Sequence, residues 1–254
     1  MLETKSIGDP IFSHNEVIVL GRELAKQGMY PALDYFLRSS EPRPTEWILI
    51  ADEKATDVFQ PKSELEDTPA LALKFLVDAG DESKVSAINL HDTNAAIGNT
   101  TGAFLIPLVR VMGEGENSRL SVDGSAGVFK RDKMVGEISS LESRGVKWVK
   151  GEVKNTCVVC KIQEHQGIAS IRIILNQSSL KVNLGTDGTP RASIYVYVEG
   201  EIQDQSGTLD MYSTQGMREV KKATELTIKR EILSSLRKAQ SLKADYFEIG
   251  KNFF

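Results

Sequence analysis

The chain has 254 residues, 41% hydrophobic and 26% charged, with a net charge of −4, so it can bury a core without disulfide or metal staples. That ordinary balance excludes a mainly disordered chain, and the acidic excess argues against a nucleic-acid binder, whose affinity comes largely from a basic footprint on phosphates. No window reaches the roughly 18 apolar residues of a spanning helix, and Met1–Pro10 has neither the pattern of a secretory signal nor a cysteine to be lipidated.

In chain order, Glu16–Gly21 is a short apolar run that predicts a strand, and Arg22–Gly28 predicts a helix closed by glycine. A second helix follows, with Pro31 in its first turn and Leu33, Phe36 and Leu37 at helical spacing, stopped by Pro42-Arg-Pro44. Trp47–Ala51 reads as a covered strand. Leu71–Ala79 predicts an amphipathic helix, while Asn89–Asn99 fits either a helix or an ordered loop. Ala103–Met112 returns to strand character, with Pro107 suggesting an edge or bulge. The polar, glycine-bearing Gly113–Ser118 is the best linker, which divides the chain into 1–116 and 117–254.

Beyond the linker, Leu120–Phe129 and Met134–Ile138 flank the charged turn Lys130–Lys133 as a hairpin, and Ser140 is a candidate cap for a helix running to about Trp148. Three alternating runs come next: Ile171, Ile173, Leu175; then Leu180, Val182, Leu184; then Ile194, Val196, Val198 opposite Tyr195 and Tyr197. Joined at Asn176–Ser179 and Gly185–Gly188, they predict an antiparallel meander with one covered face. A long helix from about Thr214 to Lys243 carries Ile228, Ile232, Leu236 and Ala239 on one stripe, which should lie on the meander. The fold class is therefore α+β: a small α/β part, then a module in which a meander packs on a long C-terminal helix.

Chemistry-bearing patterns are sparse. Cys157 and Cys160 form Cys-x-x-Cys, but Val153–Ile162 reads as a strand, which points positions three apart to opposite faces. Neither the helix start of a redox pair nor a second ligand pair for zinc is visible, and His91 and His165 are isolated. Asp123-Gly-Ser-Ala-Gly127 is not a Gly-x-Ser-x-Gly nucleophile turn, so Ser125 is no nucleophile. Gly113-Glu-Gly115 lacks the lysine of a phosphate loop. No catalytic, cofactor-binding or metal-ligating residue is nominated. The last helix does carry a local basic face, Arg218, Lys221, Lys222, Lys229, Arg230, Arg237, Lys238 and Lys243 against Glu219, Glu225 and Glu231. It reads as a solvated face, as a contact for another protein subunit, or as apposed to an anionic membrane surface.

Several segments also carry a resemblance: Gly127-Val-Phe-Lys-Arg-Asp-Lys-Met-Val-Gly136, Glu142-Ser-Arg-Gly145, Trp148-Val-Lys-Gly151, Val198-Glu-Gly-Glu-Ile202, Lys238-Ala-Gln240, Ala244–Gly250 and, far upstream, Arg38–Arg43. In order and spacing they resemble the Ger(x)C family, the C subunits of nutrient germinant receptors of spore-forming Firmicutes. The resemblance implies that residues 1–116 are the remainder of the family's N-terminal region and 117–254 its C-terminal module. It implies glycines 127, 136, 145 and 151 at turns or close contacts, and a small residue where this chain has Glu248. The implied function is a non-catalytic receptor subunit, without cofactor, beside two integral membrane subunits. The implied location is the outer face of the spore inner membrane. Family members start with a signal peptide, a lipidated cysteine and a further segment, so membrane association is expected only through such an anchor, and the chain as given is expected to be soluble. The competing reading is a soluble enzyme or cytosolic binding protein derived from the same fold.

Overall fold

The structure, a computed structural model, describes residues 13–39, 43–61, 68–78, 87–99, 102–162, 167–184, 186 and 188–253. Met1–Pro10, residues 40–42 of the Arg38–Arg43 motif, and His165 lie outside the described residues.

The apolar runs expected to be strands form the centre of a six-stranded sheet. β1 (Val17–Gly21) and β2 (Trp47–Ala51) are parallel, from Val17 opposite Trp47 to Gly21 opposite Ala51, and β3 (Ala103–Met112) joins β2 in parallel at Leu108 and Val109. The chain then reverses. β4 (Arg119–Ser121) and β5 (Ala126–Lys130) run antiparallel to β3, and β6 (Lys133–Ile138) completes a hairpin with β5. Pro107 was expected at an edge or bulge, but it lies in interior β3, opposite Ala126 and one residue before the β2 ladder begins. A proline there removes no donor that the parallel ladder uses.

Side chains alternate along these strands between two different cores, as the pleat requires. Ile18, Ile48, Ile50, Phe104, Ile106, Phe129 and Met134 face one side, against α1 (Arg22–Gln27), α2 (Tyr30–Arg38) and the start of α4 (Leu90–Gly98). On the opposite face, Val17, Leu49 and Val109 pack on Leu73 and Val77 of α3 (Pro69–Asp78). Leu105, Val128 and Ile138 continue that face under α5 (Ser140–Lys150). The 89–99 segment is a helix because the Asn89 side chain accepts the Asp92 amide at 2.8 Å. Ser139, not Ser140, caps α5, since only Ser139 has a glutamate three residues on, and Glu142 closes the reciprocal capping box.

The second sheet has three strands, β7 (Cys157–Ile162), β8 (Gly167–Leu184) and β9 (Pro190–Ser206). It is an antiparallel meander, but the expected turn at Asn176–Ser179 lies inside the 18-residue β8, and β7 supplies the remaining strand. The shift in alternation between Ile173 and Leu180, read from sequence as a new strand, is a bulge between Ile173 and Leu175. The polar residues that suggested the turn brace α5 instead. Buried Asn176 accepts the Val153 amide and donates to the Trp148 carbonyl, and Ser178 donates to the Val149 carbonyl.

α6 (Thr214–Leu242) is capped by Ser213 and spans 29 residues, about 44 Å at 1.5 Å per residue. Its expected stripe is the inward face, but it covers more than the meander. Val220 and Ile228 pack with Val158 and Cys160 of β7, Ile232 touches both flanking cores, and Ala239 and Leu242 reach the first sheet beside Ile138. One helix therefore holds both sheets. The link at 113–118 connects β3 to β4 within the first sheet, so that sheet continues across residue 116.

These positions separate a packing residue from a surface one. Ile232→Asp is expected to unfold or aggregate the chain, because an unpaired charge between two cores costs several kcal/mol of a marginal total. Lys229→Glu, on the exposed side, should stay within about 0.5 kcal/mol of the parent. Urea unfolding of the two variants checks this; matching midpoints would mean the inward face is wrongly assigned.

Candidate functional site

The residues weighed from sequence as chemistry are placed as follows. Cys157 is exposed and Cys160 buried, on opposite faces of β7, and both are free thiols; Cys160 Sγ lies 3.4 Å from the Ala169 carbonyl. Ser125 is buried and donates to Asp123 Oδ1 at 2.6 Å while accepting from Arg110 at 2.8 Å, which locks the loop before β5. Burial alone would raise the Asp123 carboxyl, but the Ser125 hydroxyl and amide and the Arg110 guanidinium outweigh it and hold it below the usual range. Among the described residues no group of three or more His, Cys, Asp or Glu is placed to hold a metal ion. None of the described helices is long and apolar enough to cross a membrane.

Two charge constellations connect distant parts of the chain. At the carboxyl ends of β1 and β2, Arg22 bonds Asp52 and Glu137, and Asp52 continues to Arg110 at 3.3 Å and on to Asp123. Burial works against the Arg22 charge, but Glu137 and Asp52 together raise its pKa above the ordinary value. The row ties the start of α1 to β2, β3 and β6. Every member has a partner, so it reads as a brace.

The second constellation joins α5 to α6. The Glu231 side chain is 7% exposed, yet it accepts two bonds from Arg144 and one at 2.8 Å from Trp148 Nε1. Gly145 faces the Glu231 carbonyl, and a Cβ added there would also come within 2.9 Å of Ser235 Cβ, so only glycine permits this helix approach. Gly151 ends α5 at φ +73°, the left-handed cap that glycine favours. Gly136 lies against Leu242, where a Cβ would meet a methyl at 2.6 Å, and Gly127 faces Met134. Tyr246, in the segment after α6, donates to the Ser235 carbonyl at 2.7 Å, and burial pushes its hydroxyl up to about 12. Glu248 adopts φ +58°, which gives the physical reason for a small residue there. Gly145, Arg144 and Trp148 of the sequence motifs thus meet at the α5–α6 junction, while Gly127, Gly136 and Gly151 serve close contacts or a cap elsewhere. Glu231 was counted from sequence only as a charge opposing the basic face; its partners lie 83 to 87 residues away, beyond any local pattern.

Beside this junction a cleft of about 810 Å³ opens among Trp47, Asp78, Phe104, Lys150, Lys154 and Tyr246. Its lining mixes ammonium groups with the carboxylates of Asp92, Glu152 and Glu248. On the outer side of α6 the cations are exposed except half-buried Lys238, with Leu226 and Leu233 exposed among them.

Comparison with known proteins resolves the lineage. Residues 124–254 match the family described as "Spore germination B3/ GerAC like, C-terminal", and residues 1–111 match "Spore germination protein N-terminal domain". The chain belongs to this spore germination family. The Ger(x)C resemblance of its motifs is therefore correct. Among curated proteins of Bacillus subtilis (strain 168), it is 23% identical to "Putative spore germination protein YfkR", covering 92% of this chain and 60% of that protein. It is 26% identical to "Spore germination protein B3" (92% and 63%) and 27% identical to "Spore germination protein YndF" (96% and 60%). The chain thus spans 60–63% of the length of these relatives. The fold is that of the "Crystal Structure of the GerBC protein", with a TM-score of 0.72 at 21% identity over 96% of this chain and 70% of that one.

The Ger(x)C junction makes two outcomes measurable. Glu231→Ala strands the Arg144 charge and the Trp148 N–H, and is expected to cost about 3–5 kcal/mol. Urea unfolding checks this, and Glu231→Leu with Arg144→Met should recover part of the loss because no buried charge remains. Tyr246→Phe is expected to cost about 1 kcal/mol at neutral pH. It should also change the alkaline limb. With the folded pKa at about 12 and an unfolded value of about 10, the native tyrosine contributes stability that is complete below pH ~10 and is lost as pH rises toward 12. The parent should lose this increment across that window in pH-dependent unfolding, and the phenylalanine variant should not.

Proposed function

We propose that the chain is part of the non-catalytic C subunit of a spore nutrient germinant receptor. It acts in the germination response through protein contacts at the outer face of the spore inner membrane. The observation that carries this reading is family membership over both halves of the chain, in order, with the motif residues spent on a helix junction instead of an open reacting centre. The partners proposed are two integral membrane subunits, and the sensed nutrient belongs to the assembly as a whole. The division at residues 116 and 117 is proposed as the border between the family's N-terminal region and C-terminal module, close to where the two family matches meet.

Membrane attachment is proposed to come from a lipidated cysteine of the full-length protein. A single acyl chain gives only marginal, reversible binding, so durable attachment needs a second contact, here the membrane subunits.

The test is to fractionate spore inner membranes that carry the full-length lipidated protein, with and without the two membrane subunits. Retention and co-purification should hold when the subunits are present and fall when they are absent, and spores lacking the protein should lose their nutrient response. Undiminished retention without the subunits, or turnover of a substrate by the purified chain, would favour a self-sufficient binding protein or enzyme on this fold.

A further inference from the structure

β9 is the outer strand of its sheet, and among the described residues its 17 residues pair with β8 alone. The typical strand has about 5–6 residues, and long edges are usually blunted by lysine, proline or bulges. β9 has no lysine and its proline stands at the first position. One irregularity of the β8–β9 ladder is an extra β9 residue at Gln203 and the other an extra β8 residue at Ile174, so β9 itself is regular from Pro190 to Ile202. α5 approaches β9 on its inner face, through Ile194. Among the described residues no strand pairs with the other edge of β9. Two side-chain rows frame it. Ile194, Val196 and Val198 on the inner face are only half-buried, while Arg191, Tyr195, Tyr197, Glu199 and Glu201 are exposed on the outer face, the two tyrosines at 60% and 56%.

We propose that this edge pairs two copies of the chain, β9 against β9, antiparallel about a two-fold axis at Val196. A two-fold contact must be self-complementary, and this register is. Arg191 falls opposite the partner's Glu201, Tyr195 opposite the partner's Tyr197, and Ile194 opposite the partner's Val198, each pair occurring twice. Opposite charges and aromatic pairs directly across a ladder are favourable. Centring on Tyr197 instead sets Tyr195 against glutamate and Arg191 against Gln203. Centring on Tyr195 keeps an Arg191–Glu199 pair but sets Tyr197 against Ser193. With the axis at Val196, the inner row of one copy extends that of the other, so the half-buried Ile194, Val196 and Val198 gain apolar neighbours. The three-stranded meander becomes a six-stranded sheet spanning both copies.

The test uses the full chain. Sedimentation velocity over a concentration series should show a reversible dimer. Arg191→Glu, which sets like charges opposite each other at both ends, should weaken it about ten-fold, and Arg191→Glu with Glu201→Arg should restore it. Register is read by oxidative cross-linking in a Cys157→Ser background. Val196→Cys should form a disulfide dimer. Ser193→Cys should not, because its counterpart lies about 20 Å away along the ladder. If Val196→Cys disturbs the fold, mixed Tyr195→Cys and Tyr197→Cys chains should cross-link to each other more than either does to itself. A monomer at every concentration, a dimer indifferent to Arg191→Glu, or cross-linking through Ser193→Cys overturns the proposal, as does association that appears only with a different partner protein.

Discussion

A buried carboxylate, Glu231, sets the arrangement of the C-terminal half. A charge so enclosed is tolerable only if its acceptor sites are filled, and Arg144 and Trp148 of the neighbouring helix fill them. Both donors sit on one face of α5, on either side of Gly145, whose lack of a side chain lets the backbone of α6 approach. The crossing of the two helices is thus specified twice, by three hydrogen bonds and by a steric window. Because α6 also touches both sheets, fixing α5 against α6 fixes the meander relative to the first sheet.

The first sheet shows the same economy. Its central strand, β3, is buried from Ala103 to Val109 because each face has its own core. That explains a near-continuous apolar run where an antiparallel meander would alternate. The meander itself is covered on one face, and its outer face keeps polar residues and tyrosines. Where the sheet carries charge, at the ends of β1 and β2, the Arg22 row turns potential repulsion among Asp52, Asp123 and Glu137 into links between α1 and three strands.

Much of this was legible in the sequence because it is periodic. The strands at Val17 and Trp47, the helices after Arg22 and Tyr30, the hairpin around Lys130–Lys133 and the inward stripe of α6 all follow from spacing. The errors came where one local pattern has two physical solutions. A bulge and a turn both shift a strand's alternation, and only the need of α5 for Asn176 and Ser178 selects the bulge. A proline in an apolar run means an edge unless the neighbouring ladder starts just beyond it, as at Pro107. The ion pairs were illegible for another reason. Arg22 to Glu137 and Arg144 to Glu231 span 115 and 87 residues, and no single-chain pattern encodes which distant charge a side chain meets.

The motif residues supply the last step toward function. Had the family signature marked a reacting centre, its polar members would be expected in a cleft with unfilled hydrogen-bonding capacity. Instead Arg144, Trp148 and Tyr246 each have a partner inside the junction, and the glycines mark close contacts or a cap. These residues fix α5, α6 and the segment after α6 against one another. Around them lie three outer features: the mixed-charge cleft beside Lys150 and Lys154, the cation row of α6 with Leu226 and Leu233, and the edge of β9. A face whose backbone is held in helices and sheet ladders loses less conformational freedom when another molecule docks on it than a face that must first order.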